Sequence, residues 1–541
     1  MKKYNIVWLF IDGVRTYYSD DDRSRLKFMD EFAKESVEFK NVVTSAPSTF
    51  MSLSAMMSGM PSYFINRNFD DFRFDKDRIP SLTTELSRNG YHNYSFLMHP
   101  QTRETMINIF PMVPRRYWAK GLTHRNWWSN DDIFNCVEKT LNMGVKEPSF
   151  FFVDYNCRHD FEISNKVKKT YKMFNEFGYN EDNTIFILCS DHGYPDASKE
   201  SGKPEYYTEN NLTHDLILTD DNIMIPFFIK YPGCKKGLAI DKTVCSIDLY
   251  QTMIDILELE KNDELIGKSL KPLMEGDSSS YSVEFHRTDS RLALQTGRGT
   301  SIRNNNYKYC CYQDNIRGGG LEEFFDIIDD PLEQNNLIND VKYEDVINIF
   351  KNEYLKSEEY FLNYQIKYLL DVFKNSNKNI DNYKSIVIID SANSMFTNIL
   401  YKMLNSLYKK QNIYIVTISN KKEDFINDVN ENFIIESELQ NLHEIQSLDT
   451  FSKSKIDLII TPLDPAKKNK NLISKIKKIS SRDKMFVDYN LAGYKQPVLA
   501  SEIKRFRAAW PFLKQEPLAF LNYIYKLFAG AFRRLRRFLF K

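Results

Sequence analysis

The chain has 541 residues and 42% hydrophobic content, enough to bury a sizeable core and form more than one domain, which excludes a disordered polypeptide. Lys plus Arg and Asp plus Glu number 73 each, so the overall charge predicts no nucleic acid or other polyanionic partner, although the balance hides a basic tail. The seven cysteines are scattered, odd in number and without a C-x-x-C pair, which argues against a zinc ribbon or disulfide framework and fits a reducing compartment.

Met1-Lys2-Lys3 runs into the short apolar stretch 6–11 and meets Asp12 at once. That leaves no room for a signal h-region or membrane span and sets the expectation of a cytoplasmic protein. The same stretch opens a series of apolar runs rich in β-branched and aromatic residues, at 6–11, 94–97, 149–153, 184–188 and 225–229, alternating with helical patterns. This pattern predicts an α/β fold, a sheet sandwiched by helices on both faces.

Candidate site residues fall at the ends of these runs. Asp12 closes the first, at the carboxyl edge where sites in open α/β sheets form. The segment 44–62 is rich in hydroxyls and enters a helix at about residues 50–57, which places Ser48 and Thr49 beside N–H groups that favour an anion. Asp191 and His192 close the run at 184–188 and precede Gly193, a pairing uncommon as turn chemistry alone. Of eight histidines, His159 and His214 flank predicted strands of the same sheet and His99 follows another, whereas His92, His124, His286 and His443 read as structural.

A Tyr-rich helical stretch at 354–373 leads to a polar linker at 374–379, so a first domain is expected over 1–373. A second alternation, with strands at 385–390, 413–418, 456–460 and 485–488, predicts a small Rossmann-like α/β domain over 383–492. Its first turn, 390–394, has no glycine, so dinucleotide binding is not signalled and a structural or docking module is the preferred reading. From Lys504 to Lys541 there are ten Lys or Arg residues and one acid, Glu516, with bulky apolar residues at helical spacing. A basic amphipathic helix over 500–541 is expected, lying on an anionic membrane surface at about 1 kcal/mol per cation.

Together the motifs resemble the sulfatase-like branch of the alkaline phosphatase superfamily, from Tyr4 to about Asp340. Asp12 with Arg15 looks like the family's D-x-x-R strand, and Thr49, Ser52, Ser58-Gly59 and Pro61 match its nucleophile helix. Ser190-Asp191-His192-Gly193 is similar to the S-D-H-G or S-D-N-G metal loop. Landmarks further on are Asp248, Gly267-Lys268, Ile302-Arg303 leading to Tyr307-Lys308-Tyr309, and the closing stretch Glu323 to Leu337 with Asp330-Pro331-Leu332-Glu333. Classical sulfatases carry Cys or Ser in C/S-x-P-x-R, converted to formylglycine. Here Thr49 occupies the Arg position of Ser45-Ala46-Pro47-Ser48-Thr49, and the register against Ser58-Gly59 is off by four residues. The resemblance therefore points to the threonine-nucleophile branch with phosphoethanolamine and phosphoglycerol transferases.

What the resemblance implies is a hydrolase or transferase of phosphate or sulfate esters. Asp12, Thr49, Asp191 and His192 would hold one divalent metal ion, and His192 in place of Asn suits manganese or zinc better than calcium. Thr49 would attack and form a phosphothreonine, with His159 and His214 as further catalytic groups. Arg15, Arg158, His99 and Ser48 would bind substrate. The leading expectation is a phosphoryl-group transferase or phosphodiesterase, peripheral on the inner face of the cell membrane, acting on a phospholipid or glycan-precursor phosphoester. A sulfuric ester hydrolase and a non-catalytic scaffold are the alternatives.

Overall fold

The computed structural model describes residues 3–16, 27–65, 81–97, 115–117, 129–156, 162–194, 214–290, 299–314 and 319–375. In the C-terminal region it describes 383–390, 401, 404, 412–417, 433–435, 456–462 and 481–487. Runs of β-branched and aromatic residues become strands because a sheet covered on both faces leaves neither side of a strand in water. The first nine described strands are β1 (Asn5–Asp12), β2 (Val37–Val43), β3 (His92–Phe96), β4 (Arg115–Tyr117), β5 (Ser149–Asn156), β6 (Thr184–Cys189), β7 (Met224–Lys230), β8 (Leu238–Ile240) and β9 (Val244–Cys245). They form one mixed sheet in the order β4-β3-β5-β1-β6-β7-β2-β8, with β9 also paired to β2. The strands from β4 to β6 run parallel, and β7 is antiparallel to both β6 and β2.

The described helices that flank this sheet or serve the site are α1 (Lys27–Ala33), α2 (Thr49–Ser58), α3 (Leu82–Arg88), α4 (Asn130–Asn142), α5 (Ile163–Glu176), α6 (Asp220–Ile223) and α7 (Asp248–Ile256). Alternate residues of the central strands point to opposite faces. Trp8, Phe10, Phe150, Phe152, Ile185 and Ile187 pack with Leu53 and Met56 of α2, Leu86 of α3 and Met253 of α7. Val7, Leu9, Phe151, Val153, Phe186 and Leu188 pack on the other side with Phe32 of α1, Val137 of α4 and Phe174 of α5. Burying one such side chain contributes ~1.5–3 kcal/mol, so the central strands are firmly anchored. Their carboxyl ends are fixed accordingly.

A second sheet is an antiparallel meander of β10 (His286–Asp289), β11 (Gly299–Arg303), β12 (Tyr307–Asp314) and β13 (Gly319–Asp326). Its Ile302, Tyr309 and Phe324 pack against Ile347 and Phe350 of α8 (Glu344–Asn375). The sequence offered only landmarks in this region, not strands. The helix expected over 354–373 is the second half of α8, so Lys374 and Asn375 of the expected linker continue the helix.

The described strands of the C-terminal region are β14 (Ser385–Asp390), β15 (Asn412–Thr417), β16 (Phe433–Ile435), β17 (Leu458–Pro462) and β18 (Asp483–Val487), an all-parallel sheet ordered β16-β15-β14-β17-β18, and the helices expected between them lie largely outside the described residues. The amphipathic tail expected over 500–541 lies outside the described residues. Among the described residues no helix is long and apolar enough to cross a membrane.

Candidate active site

Three chain segments reach the same point at the carboxyl edge of the main sheet. Asp12 ends β1 and is in register with Asn156 at the end of β5. The Ser190-Asp191-His192-Gly193 loop follows β6, the other neighbour of β1. Thr49 is the first residue of α2, entered through the extended backbone of Ser48. Ser52, one turn on, donates its hydroxyl to the Asp191 carbonyl at 2.8 Å and bonds Thr44 Oγ1 at 2.8 Å, which ties the helix start to the loop.

Thr49 Oγ1 lies 3.2 Å from His192 Nε2 and 3.5 Å from Asp12 Oδ1. His192 Nε2 is 3.4 Å from Asp191 Oδ2 and 3.7 Å from Asp12 Oδ1. His192 Nδ1 is 2.5 Å from the Gly193 carbonyl. A carbonyl only accepts, so Nδ1 carries the proton and the Nε2 lone pair faces Thr49 and the carboxylates. Asp12 Oδ2 accepts from Asn156 Nδ2 at 2.9 Å. Asp191 Oδ1 accepts from the Gly13 amide at 3.1 Å and the Ser190 hydroxyl at 3.2 Å, whereas its Oδ2 is buried without a hydrogen-bond partner.

These groups fit a divalent cation. Ligand atoms of Asp12, Asp191 and His192 all lie within 4.8 Å of one another, and a buried, unpartnered carboxylate oxygen is costly unless something positive meets it. Burial, and then the charge of Asp191, push the Asp12 carboxyl up to about 7. Burial opposes a charge on His192, yet Asp191 and Asp12 beside it raise its pKa. Two buried carboxylates this close resist ionising together, a condition that a divalent ion relieves. Two carboxylates and one imidazole compose a mixed oxygen and nitrogen donor set.

Of the other expected site residues, His214 is brought in. Its ring stacks on that of His192, with centroids 4.9 Å apart, and its Nε2 lies 3.2 Å from Asp215 Oδ1. Arg15 passes beside the loop, its Cβ close to Gly193. Ser48 is buried next to Thr49 and makes no side-chain capping bond. His99, Arg158 and His159 lie outside the described residues.

Two participants were not read from the sequence. Asn156 orients Asp12 and is itself held in a reciprocal pair with Asn130 at the start of α4, at 2.9 and 3.1 Å. Tyr194 packs its ring against His214 in a tilted contact with centroids 5.4 Å apart. The position of Asn156 at a strand end beside β1 was a usable signal, but the register that sets it opposite Asp12 is a tertiary fact.

Residues 4–182 match the family model described as sulfatase, and residues 210–360 match the one described as N-sulphoglucosamine sulphohydrolase, C-terminal. Residues 4–182 form a sulfatase-family domain. The first model covers Asp12 and Thr49 and the second covers His214, while Asp191 and His192 fall between them. An arylsulfatase of Clostridium perfringens is 26% identical over 232 residues, 42% of this chain and 43% of that protein. A Delta 4,5-hexuronate-2-O-sulfatase of Bacteroides thetaiotaomicron is 29% identical over 170 residues, 30% of this chain and 32% of that protein. The matched stretch thus spans less than half the length of either. Among solved structures, a phosphonate monoester hydrolase from Silicibacter pomeroyi has the same fold, with TM-score 0.54 and 13% identity over 66% of this chain and 95% of that one.

Proposed function

We propose that the sulfatase-family part of this chain hydrolyses an ester of sulfate or phosphate, with Thr49 Oγ1 as the attacking atom. The observation that carries this reading is the placement of that hydroxyl at a helix N-terminus, 3.2 Å from the His192 Nε2 and 3.5 Å from Asp12. A divalent cation held by Asp12, Asp191 and His192 would acidify a neighbouring hydroxyl and offset charge on the ester oxygens. The Thr49 oxygen gives up its hydroxyl proton to water and bonds to sulfur or phosphorus as the bond to the leaving alcohol breaks. His214, stacked on His192 and steadied by Asp215, gives the departing oxygen its proton. Water then cleaves the threonine ester and releases the acid. The amide N–H groups of the first turn of α2 receive the non-bridging oxygens.

The names of the curated relatives weight the substrate toward a sulfate ester, in place of phosphoryl transfer as the leading expectation. One observation keeps the phosphoester as the second reading. Thr49 is a secondary alcohol, whose oxidation gives a ketone and not the aldehyde of formylglycine, so the attacking group is the unmodified hydroxyl. Manganese or zinc is the preferred ion on the strength of the imidazole ligand. The deciding experiment is hydrolysis of 4-nitrophenyl sulfate and bis(4-nitrophenyl) phosphate by wild type and Thr49→Ala, each with manganese, zinc or calcium. The reading expects one ester to be turned over with a metal requirement and Thr49→Ala to lose roughly a hundredfold or more; equal rates in the two proteins overturn it.

The setting is likewise a proposal. The ten cations and apolar stripe of the segment from Lys504 to Lys541 support docking on an anionic leaflet, with a phospholipid or glycan-precursor ester within reach. Cosedimentation of the full chain with phosphatidylserine vesicles, lost in 0.5 M salt on the order of the screening length shrinking to a few ångströms, supports it; equal pelleting with phosphatidylcholine vesicles contradicts the electrostatic part.

A further inference from the structure

A buried cluster of four charges lies between the small antiparallel sheet and the segment that carries His214. Arg303 of β11 and Lys308 of β12 stand directly opposite each other in the antiparallel register, a placement that repels unless anions intervene. Asp220, the first residue of α6, intervenes. Its carboxylate accepts from Lys308 Nζ at 2.9 Å and from Arg303 Nε at 3.1 Å. Glu333 pairs with Lys308 and accepts the Asp220 backbone amide at 2.7 Å. It does so from a backbone with φ of 55°, uncommon for a residue with a side chain. All four side chains are buried, and the charges balance.

The other side of α6 meets the site. Asn222 Nδ2 donates to the carbonyls of His214 and Ile217, both at 2.7 Å, and the Asn222 carbonyl accepts from the Gly193 amide at 2.8 Å. Lys308 also donates to the Leu218 carbonyl at 2.9 Å. The stretch from His214 to Ile223 is thus held from two sides, by charges on the small sheet at Leu218 and Asp220 and by the loop bearing Asp191 and His192 at Asn222, with Asn222 bonded in turn to the His214 carbonyl. A buried ionic cluster adds little stability over apolar residues of the same volume. What it adds is a fixed direction.

We propose that Asp220, gripped by Arg303 and Lys308, is a positioning residue that sets His214 against His192, so that the small sheet fixes the geometry of the catalytic edge. Its effect on turnover rests on the function proposed above, whereas its effect on His214 does not. The test uses the full chain carrying Asp220→Asn, Arg303→Gln or Arg303→Lys, with the urea midpoint as the check of folding. The imidazole resonances are followed through a pH titration in histidine-labelled protein, which is tractable with eight histidines and is assigned with His214→Gln. Folded Asp220→Asn is expected to shift or broaden the His214 resonance and to lower kcat roughly tenfold to a hundredfold with KM little changed. Arg303→Lys, which keeps the charge, is expected to recover most of both. A folded Asp220→Asn protein with the His214 titration unaltered, and kcat within about twofold of wild type, overturns the proposal. Should Asp220→Asn not fold, Arg303→Gln leaves the Lys308–Asp220 pair in place and is judged by the same two criteria. If the wild type turns over no ester, the functional reading fails alone, and the His214 resonance still decides the positioning.

Discussion

Gly193 shows how little room the site leaves. A Cβ built there would lie 2.0 Å from the Asp221 carbonyl oxygen and 2.9 Å from Arg15 Cβ, so any side chain must push α6 away from the His192 loop. Gly193→Ala is expected to cost ~1–3 kcal/mol in the urea midpoint and to weaken manganese binding measured by calorimetry; an unaltered affinity and midpoint would show that the contact is slack. Of the four residues singled out as metal and nucleophile groups, Asp12, Asp191 and His192 were legible because they close apolar runs, and Thr49 because it opens a helix from a hydroxyl-rich loop. Asn156 was not legible, since an amide at a strand end has no distinctive spacing. His214 was a candidate only through its proximity to a strand, and the bond from Asn222 to its carbonyl is one that no sequence pattern announces.

The strands that deliver the site are secured by aromatic packing on both faces. Phe152 lies between Trp8, in an edge contact at 5.3 Å, and Phe10 at 5.2 Å, and it is fully buried. Phe152→Ala is expected to destabilise the protein by ~3–5 kcal/mol, read as a lower urea midpoint; a loss below about 1 kcal/mol would mean the face repacks freely. Strands β1, β5 and β6 were readable because continuous apolar runs leave few alternatives. The meander β10 to β13 was not, because it is interrupted by Arg287, Arg303 and Lys308, which look exposed in sequence. Arg303 and Lys308 are buried by pairing with Asp220 and Glu333 from distant segments, and the half-buried Arg287 pairs with Asp289 and Glu358.

Across the whole molecule, buried titratable groups set the response to acid. His286 has its pKa pressed from 6.5 to about 3, by burial first and then by Arg303. The folded state therefore binds fewer protons than the unfolded state between those values, and stability is lost as pH falls from 6.5 toward 3. Burial opposes ionisation of Asp220, but Arg303 and Lys308 outweigh it and draw its pKa from 3.8 to about 2, so its contribution is lost lower, as pH falls from 3.8 through 2. Asp248, pushed by burial from 3.8 to about 6, acts in the other direction, its contribution being lost as pH rises from 3.8 through 6. Urea midpoints of wild type and His286→Gln at pH 7 and pH 5 isolate the histidine, and wild type is expected to lose more between them; equal losses would contradict the buried neutral imidazole.

The central claim, that a threonine hydroxyl becomes the nucleophile where Asp12, Asp191 and His192 converge, is tested most directly by acid-quenching the protein during turnover with manganese and mapping its peptides by mass. A sulfo- or phosphothreonine at position 49 is the predicted result, absent when the metal is removed; sustained turnover with Thr49 unmodified, or an adduct on another residue, would contradict it.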